Sequence, residues 1–306
     1  MPRPNFFIVG APKCGTTAMY AYLNAHPDVF MCPIKEPHYF GSDFVGGRFK
    51  RAGGLAGYLA LFDGAGEAQR IGEASIFYLF SQRAAQEIHD FDPDAKIIAL
   101  LRSPVEMLYA WYYELRFQAE EPLPTFQAAL EAEAERKQGH MIPPRLFNMP
   151  ESLYYRDLAK FTAQVQRYFD VFGRDVVQVT IFDDLKTDTP GVYRRTLEFL
   201  DLDPDVAVTL DRVNVSKTLR FPALRRFLHA PPQWWYRGPV ALGRALVPEM
   251  QRRRVNQWLQ RLNARQESRP PMDPDLRRQL QADFRPEIEQ LSALLDRDLT
   301  HWCADD

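Results

Sequence analysis

Three short, largely apolar runs punctuate the chain, each leading through a polar turn into apolar positions at helical spacing. Phe6 to Gly10 combines aromatic and β-branched residues and predicts a buried strand. Lys96 to Leu101 and Val176 to Phe182 are further runs of this kind, suited to the interior of a parallel sheet covered on both faces. Helical spacing follows the first run at Ala18 to Ala25. It recurs over Gln82–Phe91, Val105–Phe117, Thr125–Gln138, Leu153–Phe172 and Gly191–Leu200. Strands alternating with helices predict an α/β fold, a three-layer sandwich with a mostly parallel sheet.

The pattern breaks near Asp205. Between Arg212 and Arg269 thirteen Lys or Arg residues stand against two acids, Glu249 and Glu267, and five prolines interrupt any long element. This stretch reads as a basic, proline-interrupted excursion at about 212–269 within one domain spanning 1–306. Amphipathic helical spacing resumes from Asp273 to Trp302 and predicts packing back onto the sheet.

Composition narrows the function classes. With 38 basic and 40 acidic side chains the formal charge is −2, so bulk electrostatic binding of nucleic acid is excluded. No apolar run approaches the ~18 residues of a membrane helix, and the start MPRPNFFIVG lacks the apolar stretch of a signal peptide. The expectation is a soluble, cytoplasmic protein; oligomeric state is not legible. Cys14, Cys32 and Cys303 are too scattered for a disulfide framework and show no metal-ligand spacing, so reduced thiols and no metal are expected.

The turn after the first run, Ala11-Pro12-Lys13-Cys14-Gly15-Thr16-Thr17, carries the chemistry. Small residues feeding a helix N-terminus present unpaired N–H groups and the positive end of the helix dipole, which suits phosphate or sulfate. Gly10 and Gly15 have the glycine spacing of a nucleotide-triphosphatase loop, but Thr16 occupies the lysine position and the loop's lysine is Lys13. ATP or GTP hydrolysis is therefore disfavoured. Simple helix capping by Gly15, Thr16 and Thr17 is the bland alternative. Arg102, at the carboxyl end of the second run, lies where ligands bind open α/β sheets; otherwise it pairs with an acid such as Glu106.

Residues 11–17, Lys35-Glu36-Pro37-His38-Tyr39-Phe40, Gly72-Glu73-Ala74-Ser75, Leu101-Arg102-Ser103-Pro104 and Asn214-Val215-Ser216-Lys217 together resemble the sulfotransferases that use 3′-phosphoadenosine 5′-phosphosulfate (PAPS). The likeness spans roughly residues 5 to 302 and is nearer the glycosaminoglycan-type and bacterial branch than the cytosolic one. It implies a P-loop-like nucleotide-binding fold, PAPS as co-substrate and no metal. It also implies in-line sulfuryl transfer to a hydroxyl acceptor, with an amine as the lesser alternative. Lys13, Cys14, Gly15, Thr16 and Thr17 would surround the 5′-phosphosulfate, with Lys13 neutralising the leaving oxygen. Arg102 and Pro104 match the first half of the 3′-phosphate pattern. The serine expected six residues beyond the proline falls on Ala110, a lost hydrogen bond worth ~1.5 to 3 kcal/mol unless Lys217, Arg220 or another late basic residue replaces it.

Glu36 matches the catalytic glutamate of the glycosaminoglycan-type branch, and apolar walls would raise its pKa toward neutrality. His38 is the competing base, and a structural Glu36 paired with Lys35 or an arginine is the third reading. Tyr39, Ser75 and Trp234 are candidate acceptor contacts. Ala74 stands where the glycosaminoglycan-type enzymes often carry lysine, which argues against a highly sulfated polysaccharide acceptor. The Trp234-Trp235-Tyr236 cluster has three open uses: an acceptor pocket or lid, simple packing, or peripheral contact with an anionic membrane surface. Cys14, at a helix N-terminus, is expected to have a lowered thiol pKa. The competing functions are a P-loop kinase or nucleotide hydrolase, which would need magnesium, and a non-catalytic nucleotide-binding protein.

Overall fold

A computed structural model describes residues 2–44, 54–144, 146, 148–206, 208–210, 217–219, 264–266 and 269–304 of the chain. Five parallel strands form the central sheet: β1 (Phe6–Gly10), β2 (Val29–Met31), β3 (Arg70–Ala74), β4 (Lys96–Leu101) and β5 (Val177–Ile181), in the order β2-β3-β1-β4-β5. The three strands predicted from apolar runs are present with nearly the expected bounds. β1 and β4 are buried almost throughout because helices cover both faces of the sheet. β2 and β3 were not anticipated. β2 is only three residues long, and β3 carries Arg70, Gly72 and Glu73, which break the apolar run that marks a central strand.

Helix α1 (Thr16–Asn24) follows β1, α2 (Gly54–Leu59) precedes β3, and α3 (Ala84–Phe91) and α4 (Pro104–Gln118) flank β4 in sequence. Then come α5 (Phe126–Glu131), α6 (Glu133–Lys137), α7 (Tyr155–Leu158) and α8 (Phe161–Phe172), with α9 (Phe182–Thr187) and α10 (Thr189–Phe199) after β5. The expected helix 125–138 is two helices meeting at Ala132, and 153–172 is broken between Leu158 and Phe161. A 22-residue helix, Pro274–Leu295, runs where amphipathic spacing resumed, and packs on α8 and α4. Of the basic stretch, the structure describes two strands, β6 (Lys217–Leu219) and β7 (Ala264–Gln266), paired antiparallel with β6 beside α4. Trp234, Trp235 and Tyr236 lie outside the described residues, as does Arg220.

Sheet order fixes where a ligand can sit. β3 and β4 lie on opposite sides of β1, so the carboxyl ends of these three parallel strands come together where ligands bind in such sheets. The pairing of β1 with β4 slips between Ile8 and Gly10, and the amide of Ala11 then reaches the Leu100 carbonyl at 2.8 Å. Gly10 is required there: a Cβ would lie 2.7 Å from Leu79 Cβ and 2.9 Å from the Ile76 carbonyl.

Candidate active site at the carboxyl ends of the strands

The loop from β1 to α1 is built to leave amides open. Lys13 and Gly15 both adopt left-handed backbone, φ 59° and 94°, on either side of the buried Cys14. Gly15 is the N-cap of α1 without a side-chain cap, and the first turn holds no acid. The amides of Gly15, Thr16 and Thr17 meet no backbone or side-chain acceptor among the described residues. This concave run of N–H groups at a helix N-terminus suits an anion. The capping alternative loses ground, since the Thr16 and Thr17 hydroxyls do not cap the helix. A Cβ at position 15 would come within 2.8 Å of Leu185 and 3.0 Å of Phe182, so α9 presses the loop into place from the β5 side.

Cys14 departs from expectation. Its thiol pKa is pushed up to about 12, because complete burial outweighs the nearby Arg102 and Lys13 charges, and it donates to the Pro12 carbonyl at 3.3 Å. The helix N-terminus does not overcome that desolvation, so Cys14 is a packing residue whose backbone shapes the loop.

Lys13 Nζ lies 2.9 Å from Glu114 Oε2 on α4, and Gln118 Nε2 donates to the other Glu114 oxygen at 2.8 Å. Arg102, just past β4, reaches Glu106 at 3.1 Å and stacks 4.9 Å over the Phe182 ring. Glu106 also receives Arg277 at 2.7 Å. Arg269 stands nearby, next in sequence to Pro270, whose carbonyl accepts the Tyr109 hydroxyl at 3.0 Å. Burial, then the like charge of Arg102, lowers the pKa of Arg269 despite Glu106 and Glu114. Four cations, Lys13, Arg102, Arg269 and Arg277, therefore share two carboxylates on one side of α4. Ala110 is buried on this helix. Lys217 begins β6 beside α4, with its side chain outside the described set.

The segment 35–40 crosses the carboxyl end of β3, anchored by the Glu36 amide on the Ala74 carbonyl at 2.9 Å. Glu36 and His38 are both left-handed, φ 64° and 49°. Lys35 Nζ sits 2.6 Å from Glu36 Oε1, and His38 Nε2 sits 3.6 Å from Oε2. The anticipated upward pKa shift of Glu36 is reversed. Burial alone would raise it, but the His38 contact and the Lys35 charge together hold the carboxyl well below the usual range. His38 is buried, and Tyr39 is half-buried with its ring stacked 4.1 Å from that of Tyr58.

Ser75 is fully buried; its hydroxyl donates to Glu73 Oε1 at 2.6 Å and accepts the His38 amide at 3.2 Å. Sequence reasoning missed Glu73, Glu114, Arg269 and Phe182. Glu73 left little signal, since Arg70 and Gly72 keep its segment from reading as a buried strand. Among the described residues no three His, Cys, Asp or Glu side chains cluster as metal ligands would.

Comparison with known proteins decides the family. Residues 3–294 match the sulfotransferase domain family. The chain belongs to the sulfotransferases. The crystal structure of a sulfotransferase from Alicyclobacillus acidocaldarius superposes with a TM-score of 0.74 at 31% identity, covering 99% of this chain and 100% of that one. Mouse carbohydrate sulfotransferase 15 is 35% identical over 149 residues, covering 36% of this chain and 27% of its own. The membrane-associated sulfotransferase kil1 of Dictyostelium discoideum is 36% identical over 111 residues, covering 36% and 22%. The chain thus spans about a quarter of the length of these curated sulfotransferases. The cytoplasmic expectation is corrected by the same finding, because this sulfotransferase's relatives include a membrane-associated protein. Among the described residues no helix is long and apolar enough to cross a membrane, a fact that fixes no compartment.

Proposed function

We propose that the chain, read as one domain over 1–306, transfers the sulfuryl group of PAPS to a hydroxyl acceptor. The observation that carries this reading is the uncapped, acid-free start of α1, with Lys13 beside it and the Arg102–Arg269 pair one strand away. A donor with a sulfated phosphate at one end and a second phosphate at the other needs two separate cationic sites of this kind.

In this reading the Gly15, Thr16 and Thr17 amides hold the 5′-phosphosulfate, and Lys13 leaves Glu114 to neutralise the oxygen that departs with the nucleotide. Arg102 and Arg269 hold the 3′-phosphate, so that a second guanidinium makes up for the hydroxyl missing at Ala110. Lys217, on the strand beside α4, is a further candidate there. Glu36 is ionised at neutral pH and serves as the base that takes the acceptor's proton. A low pKa makes it a weaker base, and departure of Lys35 or reorientation of His38 on acceptor binding would strengthen it. Tyr39, half-buried beside this pair, remains the acceptor-contact candidate. The sulfur centre supplies the electrophile; the chain's residues position it, exclude water and move one proton.

The test is incubation with PAPS and a panel of alcohols and amines, with mass spectrometry for a sulfated product. Product with an alcohol supports the reading; tight binding of 3′-phosphoadenosine 5′-phosphate (PAP) without any product would favour the non-catalytic alternative.

A further inference from the structure

Glu73 is a charged residue that the proposed chemistry leaves unused. It sits near the carboxyl end of β3, between Gly72 and Ala74, and is fully buried. An ionised carboxylate in such a place is costly unless hydroxyls or cations satisfy it. Here hydroxyls surround it: Ser75 at 2.6 Å on one oxygen and Tyr58 on the other, with the Tyr78 hydroxyl also bonded to the carboxyl group. Burial and the Glu73 charge keep Tyr58 and Tyr78 protonated, so both remain donors toward it.

These hydroxyls have a second task. The Ser75 oxygen accepts the His38 amide at 3.2 Å, and the Tyr78 oxygen accepts the amides of Tyr39 at 2.8 Å and Phe40 at 3.1 Å. Three consecutive amides of the segment that bears Glu36 and His38 thus end on hydroxyls whose protons are drawn to one carboxylate. A hydroxyl that spends its proton on an anion turns its lone pairs outward and becomes a better acceptor. Tyr58 adds a fourth link, since its ring stacks on Tyr39. Left-handed backbone at Glu36 and His38 is uphill by ~1 kcal/mol or more each and persists only where its surroundings hold it.

We propose that Glu73 is a positioning residue, whose carboxylate orients the Ser75 and Tyr78 hydroxyls to hold residues 38–40 and thereby fixes the left-handed segment that presents Glu36. The inference rests on Glu36 being the base. It gives Ser75 an internal task in place of contact with the acceptor.

The experiment compares the full chain with Glu73→Gln, Glu36→Gln and the double variant, using PAPS and whichever alcohol the panel yields. Turnover, calorimetric PAP affinity and amide hydrogen exchange over residues 35–41 are the readouts. The glutamine amide has the shape of the carboxylate but must donate toward one hydroxyl, which reverses the bond order. Expected for Glu73→Gln are a kcat loss of at least ~30-fold, PAP affinity within about twofold, and exchange of residues 38–40 at least ~10-fold faster. The double variant should be no slower than Glu36→Gln, because both changes act on one group. Near-normal kcat and exchange in Glu73→Gln beside a dead Glu36→Gln would overturn the positioning role and spare the base. A fully active Glu36→Gln would instead overturn the base and the inference with it. Should Glu73→Gln fold poorly, Ser75→Ala and Tyr78→Phe each remove one link with the carboxylate in place. Each should give a smaller loss of the same pattern, and normal kcat and exchange in both would overturn the inference.

Discussion

Lys13 Nζ and Glu114 Oε2 meet at 2.9 Å, joining the loop after β1 to the C-terminal half of α4. The lysine proposed to meet the donor's sulfate is thus already neutralised by an acid, and an incoming anion must compete with that acid. Both side chains are partly exposed, so the pair itself is worth at most ~1 kcal/mol. Glu114→Gln should therefore tighten PAP binding by about three- to tenfold in calorimetry, through loss of a competing negative charge. Weaker binding would mean that Glu114 holds Lys13 toward the donor.

Lys13→Ala is expected to lower kcat by ~10²-fold or more, the order found when one oxyanion donor is removed. PAP affinity should fall much less, since the loop amides remain. Single-turnover transfer at saturating PAPS checks this, and unchanged turnover would remove Lys13 from the chemistry.

Arg102→Ala should separate the two ends of the donor. PAP affinity is expected to fall ~10-fold or more, and AMP, which lacks the 3′-phosphate, should bind within about twofold of the wild-type value. Arg269→Ala should behave in the same way. An equal loss for both nucleotides would show that the arginines shape the pocket in general.

How much of this was legible beforehand follows from the chemistry of each residue. β1, β4 and the Lys13–Thr17 loop could be read because buried strands and anion loops leave dense local patterns. Glu36 was legible only as a residue type. Its partners Lys35 and His38 lie beside it in sequence, yet their effect on its pKa depends on left-handed turns that fold the charges together. Glu114 and Arg269 lie 101 and 256 residues from Lys13, and only the sheet order brings α4 and the chain's late segment over the loop. Cys14 was misjudged because the helix dipole was weighed without the burial that outweighs it.

Glu73 predicts an unusual pH dependence of stability. Burial raises its pKa to about 6, above the ~4.3 of an unfolded glutamate, although three hydroxyls oppose the shift. A raised carboxyl favours the fold fully below the unfolded value, and that contribution is lost as pH rises through about 6. The loss amounts to ~2 kcal/mol. Relative to Glu73→Gln, the wild type should therefore lose Tm between about pH 4.5 and 7.5. A constant difference across that range would show that Glu73 does not change its protonation there.

Gly15→Ala should destabilise the chain by ~1 to 3 kcal/mol, since φ is 94° and a Cβ would crowd Leu185 and Phe182. Thermal denaturation reads the shift. PAP affinity should fall as well, because relief of the crowding moves the amides.

The most direct test of the anion cradle is a crystal structure of the full chain with PAP. The account predicts the 5′-phosphate within hydrogen-bond distance of the Gly15, Thr16 and Thr17 amides, Lys13 turned from Glu114 toward it, and the 3′-phosphate against Arg102. A nucleotide bound elsewhere, with Lys13 still on Glu114, would contradict it.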